Sequence, residues 1–73
     1  MLSDQQFLNR LGKNIKDKRI TTFGARSKRT LSASSGVADM TIFRIENGEV
    51  SPTITTLRSI ASALNCEVGE LLP

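Results

Sequence analysis

Leu31-Ser32-Ala33-Ser34-Ser35-Gly36-Val37-Ala38-Asp39-Met40-Thr41-Ile42-Phe43-Arg44-Ile45-Glu46-Asn47-Gly48 reads as two short helices hinged on a glycine. Ser35-Gly36-Val37 is a tight turn in which Gly36 takes the left-handed backbone conformation that residues with a Cβ resist. Before the turn, a helix opens at the cap Ser27 and runs to about Ser34, with Leu31 as its main core residue. After it, a helix covers roughly Asp39 to Glu46 and buries Ile42 and Ile45, with Val37 leading in. Asn47-Gly48 stops this helix. Leu31, Val37, Ile42 and Ile45 then hold the two helices at a fixed angle.

Upstream, Ser3 caps a first helix and Gln6, three residues on, closes a capping box. Phe7, Leu8, Leu11, Ile15 and Arg19 recur at steps of three and four and mark its packed stripe. Thr21-Thr22-Phe23-Gly24 ends it, because two β-branched residues and a glycine continue a helix poorly. Downstream, Thr53 caps a fourth helix carrying Ile54, Leu57, Ile60, Ala61 and Leu64 on one face, and Asn65 terminates it. Glu67 to Leu72 is a short amphipathic turn or helix contributing Val68, Leu71 and Leu72. Five short helices without a strand pattern, repeat or linker predict a compact all-α fold, a single domain over residues 1–73.

The 73 residues hold one cysteine and no histidine, so neither a disulfide framework nor a zinc site of ordinary spacing is expected. Cys66 sits in an apolar stretch and is expected to be a small buried hydrophobe. No carboxylate pair, activated nucleophile or glycine-rich phosphate loop is recognisable, so an enzyme and a bound cofactor are not expected. The start, Met1-Leu2-Ser3-Asp4-Gln5-Gln6, lacks a basic and then apolar leader, and no apolar run has a membrane span's length. A cytoplasmic location is expected. The net charge of +3 is unevenly spread. From Arg10 to Arg44 nine lysines and arginines face only Asp17 and Asp39, whereas from Ile45 to Pro73 only Arg58 faces four glutamates. Such an asymmetry is the footprint of a polyanion-binding face, although a solvated helix face also explains many basic runs.

Leu31, Ser35-Gly36-Val37, Thr41-Ile42, Arg44 to Gly48, Pro52, Thr56-Leu57, Ile60-Ala61, Ala63-Leu64 and Glu70-Leu71-Leu72 together resemble the Cro and phage-repressor-like helix-turn-helix family. The resemblance covers about Leu11 to Leu72 and implies a five-helix lambda-repressor-like DNA-binding domain with the helix-turn-helix at helices 2 and 3. Arg19 resembles the family's buried arginine, which pairs with the glutamate found here as Glu46. The sequence departs from the family in several places. The interval from Arg19 to Leu31 is about two residues longer, so Phe23-Gly24-Ala25-Arg26 is an expanded turn. Lys28 stands where a glutamine that touches DNA backbone is frequent, and Ser32 stands where alanine is frequent. The Ser32 hydroxyl is expected to bond back to a carbonyl. Ala38 replaces the usual polar cap of the recognition helix, leaving Asp39 as the candidate.

In such a domain the outward N-terminal positions of the second helix face base edges; here these are Ala38, Asp39, Met40 and Arg44. Arg44 has a fork that bonds guanine O6 and N7 together, its alternative being a phosphate contact. Asp39 either accepts from cytosine N4 or caps its helix. Ala38 and Met40 offer apolar contact to a thymine methyl, or Met40 is merely exposed. Phe43 is expected to pack on the expanded turn, on Phe23, and not to read bases. Phosphate contacts are expected from Ser27, Lys28, Arg29, Thr41 and Asn47, with Arg26 flanking.

The implied partners are double-stranded DNA and a second copy of the chain, bound through the C-terminal segment with Val68, Leu72 and Pro73. The function implied is a transcriptional regulator, a repressor on a palindromic operator, bacterial or phage-encoded and nucleoid-associated. With no effector or cleavage domain visible, control is expected through concentration, degradation or partner exchange. The rival is a protein-interaction module of the same fold, an antitoxin or a coactivator-type adaptor, because fold does not fix function.

Overall fold

The computed structural model describes residues 1–73 as five helices: α1 Asp4–Phe23, α2 Lys28–Ser35, α3 Asp39–Glu46, α4 Ile54–Ala63 and α5 Val68–Leu71. α1 starts at the capping box expected of Ser3, whose hydroxyl accepts from the Gln6 amide while the Gln6 side chain accepts from the Ser3 amide. It ends later than the sequence suggests. Thr21 and Thr22 lie inside the helix, which closes only where the Gly24 amide donates to the Ile20 carbonyl at 2.8 Å. The β-branched penalty is a few tenths of a kcal/mol per residue, too small to break a hydrogen-bond ladder already in place. Gly36 turns the chain between α2 and α3 in the left-handed conformation (φ 75°), as its position requires. Asn65 (φ 59°) does the same after α4.

Ten residues form the core: Leu11 and Ile15 from α1, Leu31 from α2, Ile42 and Ile45 from α3, Leu57, Ile60 and Ala61 from α4, then Leu64 and Leu71. Val37 and Val68 pack against it from half-buried positions. α1 lies across α3, α2 rests on α4, and α5 closes the end against α4 and α1. The Asn14 side-chain amide donates to the Leu71 carbonyl at 3.0 Å and ties α5 to α1.

Four apolar positions depart from the sequence reading. Phe7 is largely outside the packed stripe and borders a surface cleft with Leu8 and Pro52. Ile54, the first residue of α4, is 66% exposed and points away from the core. Cys66 and Leu72 also remain partly solvated. The inner face of α1 instead contains Gly12, which is buried. A Cβ there would lie 2.5 Å from the carbonyl oxygen of Glu46 and 2.8 Å from its carbonyl carbon, so the bare backbone is what lets α1 touch α3.

The Thr53 hydroxyl accepts from the Thr56 amide at 3.2 Å and caps α4. Thr53→Ala removes that partner and is expected to cost about 1 kcal/mol of stability. The check is the urea midpoint; a shift within error of zero would show that water satisfies the amide equally well.

Candidate nucleic-acid interface

The position of α3 is set by a buried charge pair. Arg19, from the last turns of α1, donates from Nε to Glu46 Oε2 at 2.7 Å and from Nη2 to Oε1 at 3.0 Å, a two-pronged pairing. Its third prong, Nη1, donates to the Ser27 hydroxyl at 2.9 Å, and that hydroxyl donates to the Gly24 carbonyl. One guanidinium thus joins the end of α1, the turn after it, the start of α2 and the end of α3. No buried side-chain nitrogen or oxygen lacks a partner. The pair expected between Arg19 and Glu46 is therefore present, and it is buried on both sides.

The same network revises Ser27. It holds the N-cap position of α2, yet its side chain makes no capping bond, because the hydroxyl is turned inward to Arg19 and Gly24. The residue is 1% exposed, so its hydroxyl is not open to a phosphate. Ser32 is revised in direction: its hydroxyl donates forward to the Val37 carbonyl at 2.6 Å, bracing the turn, where a bond back along the helix was expected. The Ser35 hydroxyl accepts from the Val37 amide at 3.1 Å on the same turn.

With Ile42, Ile45 and Glu46 turned inward, α3 presents Ala38, Asp39, Met40, Thr41, Phe43 and Arg44 to solvent. No side chain caps its N-terminus; Asp39 is in the first turn and favours the positive end of the helix by charge alone. Lys28 and Arg29 in the first turn of α2 face the same region, and Arg26 is exposed just before them. Asn47 caps the far end of α3, about 13.5 Å along the axis from Ala38. It is exposed but separated from the cluster at the start of the helix.

Phe43 is placed differently from the expectation. The Lys28 ammonium lies over its ring, 4.6 Å from the centroid, so the ring faces the start of α2. Between them Lys28, Arg29, Asp39, Met40 and Phe43 line a recess on the outer face. No local pattern in the sequence signals this contact, since the two partners belong to different helices.

A family model described as Helix-turn-helix matches residues 26–71, more than half of the chain. The chain belongs to the helix-turn-helix family of Cro-type phage repressors. The helix-turn-helix domain is accordingly a DNA-binding regulatory domain, with α2 and α3 as its two-helix unit. No curated protein and no solved structure matches the chain. The family match begins at Arg26, the last residue of the expanded turn, so Arg19 and most of the turn it braces lie outside the matched residues, while Glu46 lies inside. The ion pair joins the core contacts of Leu11 and Ile15 in fastening the unmatched α1 to the helix-turn-helix unit.

Elsewhere on the helix-turn-helix domain the chemistry is quiet. Burial, then the nearby Glu70, raises the Cys66 thiol above its ordinary pKa, with Lys18 pulling the other way. The thiol is therefore protonated, and so a poor nucleophile, at neutral pH. No helix is long and apolar enough to cross a membrane.

Proposed function

We propose that this domain is a sequence-specific transcriptional regulator, a repressor that binds a palindromic operator as a homodimer and carries out no catalysis. Each copy is a single domain that acts in the cytoplasm, at the nucleoid. The observation that carries the reading is the outward row on α3, held by the Arg19–Glu46 pair and flanked by cationic side chains. In this arrangement α3 enters the major groove. Arg44 reads guanine through a bidentate bond, and Ala38, Asp39 and Met40 meet neighbouring base edges. Lys28, Arg29, Thr41 and Asn47 hold the phosphates, with α2 crossing the backbone.

A single α3 spans too few base pairs for useful specificity, which favours a two-fold pair. The exposed end of the chain, with Leu72 and Pro73 beside the half-buried Val68, is the contact surface proposed for it.

The test is selection of the purified protein on a random duplex pool at near-physiological salt. The expected product is a two-fold motif with half-sites about one helical turn apart. Arg44→Ala is then expected to relax one position of each half-site and to cost about 1–3 kcal/mol of binding. If about six phosphates are neutralised per dimer, affinity falls by roughly three decades between 50 and 200 mM salt. A monomer in sedimentation, both free and on the selected DNA, would remove the dimer.

A second reading, a protein-interaction module such as an antitoxin or adaptor, is favoured by one observation. The cleft between the first turns of α1 and Pro52 exposes Phe7 and Leu8 at the surface. That reading predicts no enriched sequence and binding to a partner with a shallow salt dependence.

A further inference from the structure

The recess between the start of α2 and the outer face of α3 is unusual in its lining. Three of its five residues, Lys28, Arg29 and Asp39, carry charge, yet nearly all the surface lining the recess is apolar. Met40 and Phe43 supply the rest, at 58% and 43% exposure. Little polar surface faces the recess, so the stems of the charged residues contribute to its wall, as long cationic side chains do over apolar surface. The Lys28 ammonium above the Phe43 ring keeps both in place. An apolar recess inside a cationic rim suits a ligand with a small apolar group set among anions. An apolar protein segment would bring nothing to meet the cations. Duplex DNA matches both features: in the major groove the C5 methyl of thymine is the one apolar group on a base edge, and phosphates flank it.

We propose that this recess receives the 5-methyl group of a thymine, with Met40 and Phe43 as specificity-determining residues. The inference rests on the reading that α3 enters the major groove, and it adds a thymine reader that works by apolar contact to the hydrogen-bonding Arg44. It also gives Phe43 a role in recognition, which its sequence position alone did not. A cytosine at the same place presents only hydrogen at C5, so the recess separates thymine from cytosine without a hydrogen bond. Burying one methyl group amounts to about a four-fold change in Kd.

The experiment uses the full chain and the motif it selects from a random pool. Each thymine of that duplex is replaced in turn by deoxyuridine, which removes the methyl group and nothing else. The expected result is one thymine per half-site at which the replacement raises Kd about four-fold, with no effect at the others. Met40→Ala and Phe43→Ala are each expected to bring the thymine-to-deoxyuridine ratio at that position towards one, whatever their absolute affinity. Phe43→Leu, which keeps an apolar wall, should retain part of the preference and guards against a misfolded alanine variant. 5-Methylcytosine placed opposite guanine at the same position should bind more tightly than cytosine. Specific binding with no sensitivity to deoxyuridine at any thymine would overturn the inference and leave the DNA-reading function standing. Full preference retained in both alanine variants would also overturn it. Failure to enrich any sequence would overturn the DNA-reading function itself, and this inference with it.

Discussion

Glu46→Ala is expected to remove a large share of the domain's stability at 25 °C. Arg19 is 2% exposed, and two of the bonds that satisfy its guanidinium go to the Glu46 carboxylate. Removing the carboxylate leaves a buried cation with only Ser27 to face it, a loss of about 3–5 kcal/mol for a broken buried pair. A domain of this length has about 4–11 kcal/mol of stability in total. The loss is therefore a large share of the whole, and the melting midpoint should fall by at least about 12 °C. The exposed pair Lys13–Asp17, bonded at 2.7 Å along α1, is the internal comparison. Asp17→Ala should lower the unfolding free energy from urea titration by no more than a few tenths of a kcal/mol, because an exposed i, i+4 pair is worth no more. Replacing Arg19 and Glu46 together by methionine and leucine should recover most of the loss, since the penalty is for the unpaired charge. A Glu46→Ala midpoint within 1 kcal/mol of the parent would mean that water reaches Arg19 and that α3 is positioned by its apolar residues alone.

The helix-turn-helix segment was legible in the sequence because its signals are local. Gly36 needs a left-handed turn, Asn47-Gly48 stops a helix, and the spacing of Ile42 and Ile45 fixes which side of α3 is buried; the observed Asp39–Glu46 agrees with all three. The capping box at Ser3 and the cap at Thr53 are local in the same sense. What was not legible depends on partners far along the chain. Periodicity assigns Phe7 and Ile54 to packed stripes, but both lie in the first turns of their helices and are exposed. Ser27 has the composition of a cap, but a guanidinium eight residues earlier claims its hydroxyl. The contact of Lys28 with Phe43 is not legible because it forms only once the turn at Gly36 has folded α2 against α3. The positions of Ala38, Asp39, Met40 and Arg44 on the outer face follow from the period of α3. What each one reads is set by DNA and stays with the experiments above.

No motif in the sequence singles out Gly12. Gly12→Ala is expected to destabilise the domain, against the ordinary preference of helices, where the same change gains about 1 kcal/mol. The added Cβ would fall against the carbonyl groups of Ile45 and Glu46, at 2.5 Å from the Glu46 oxygen. Those atoms are backbone and cannot rotate aside, so α1 and α3 must separate. Overpacking of this kind costs about 1–3 kcal/mol, and occasionally more. Here the separation also draws Glu46 away from Arg19, so the steric and electrostatic losses are coupled. The control is Gly69→Ala in α5, where an added Cβ meets nothing within 4 Å and the backbone is ordinary helix. That variant should be neutral or stabilised by up to about 1 kcal/mol. A double-mutant cycle between Gly12→Ala and Glu46→Ala then separates the two losses. If separation of α1 and α3 is what weakens the ion pair, the double variant loses less than the sum of the single losses. Additive losses would mean that α3 shifts without disturbing Arg19, and that close packing and the charge pair fix the DNA-facing helix independently.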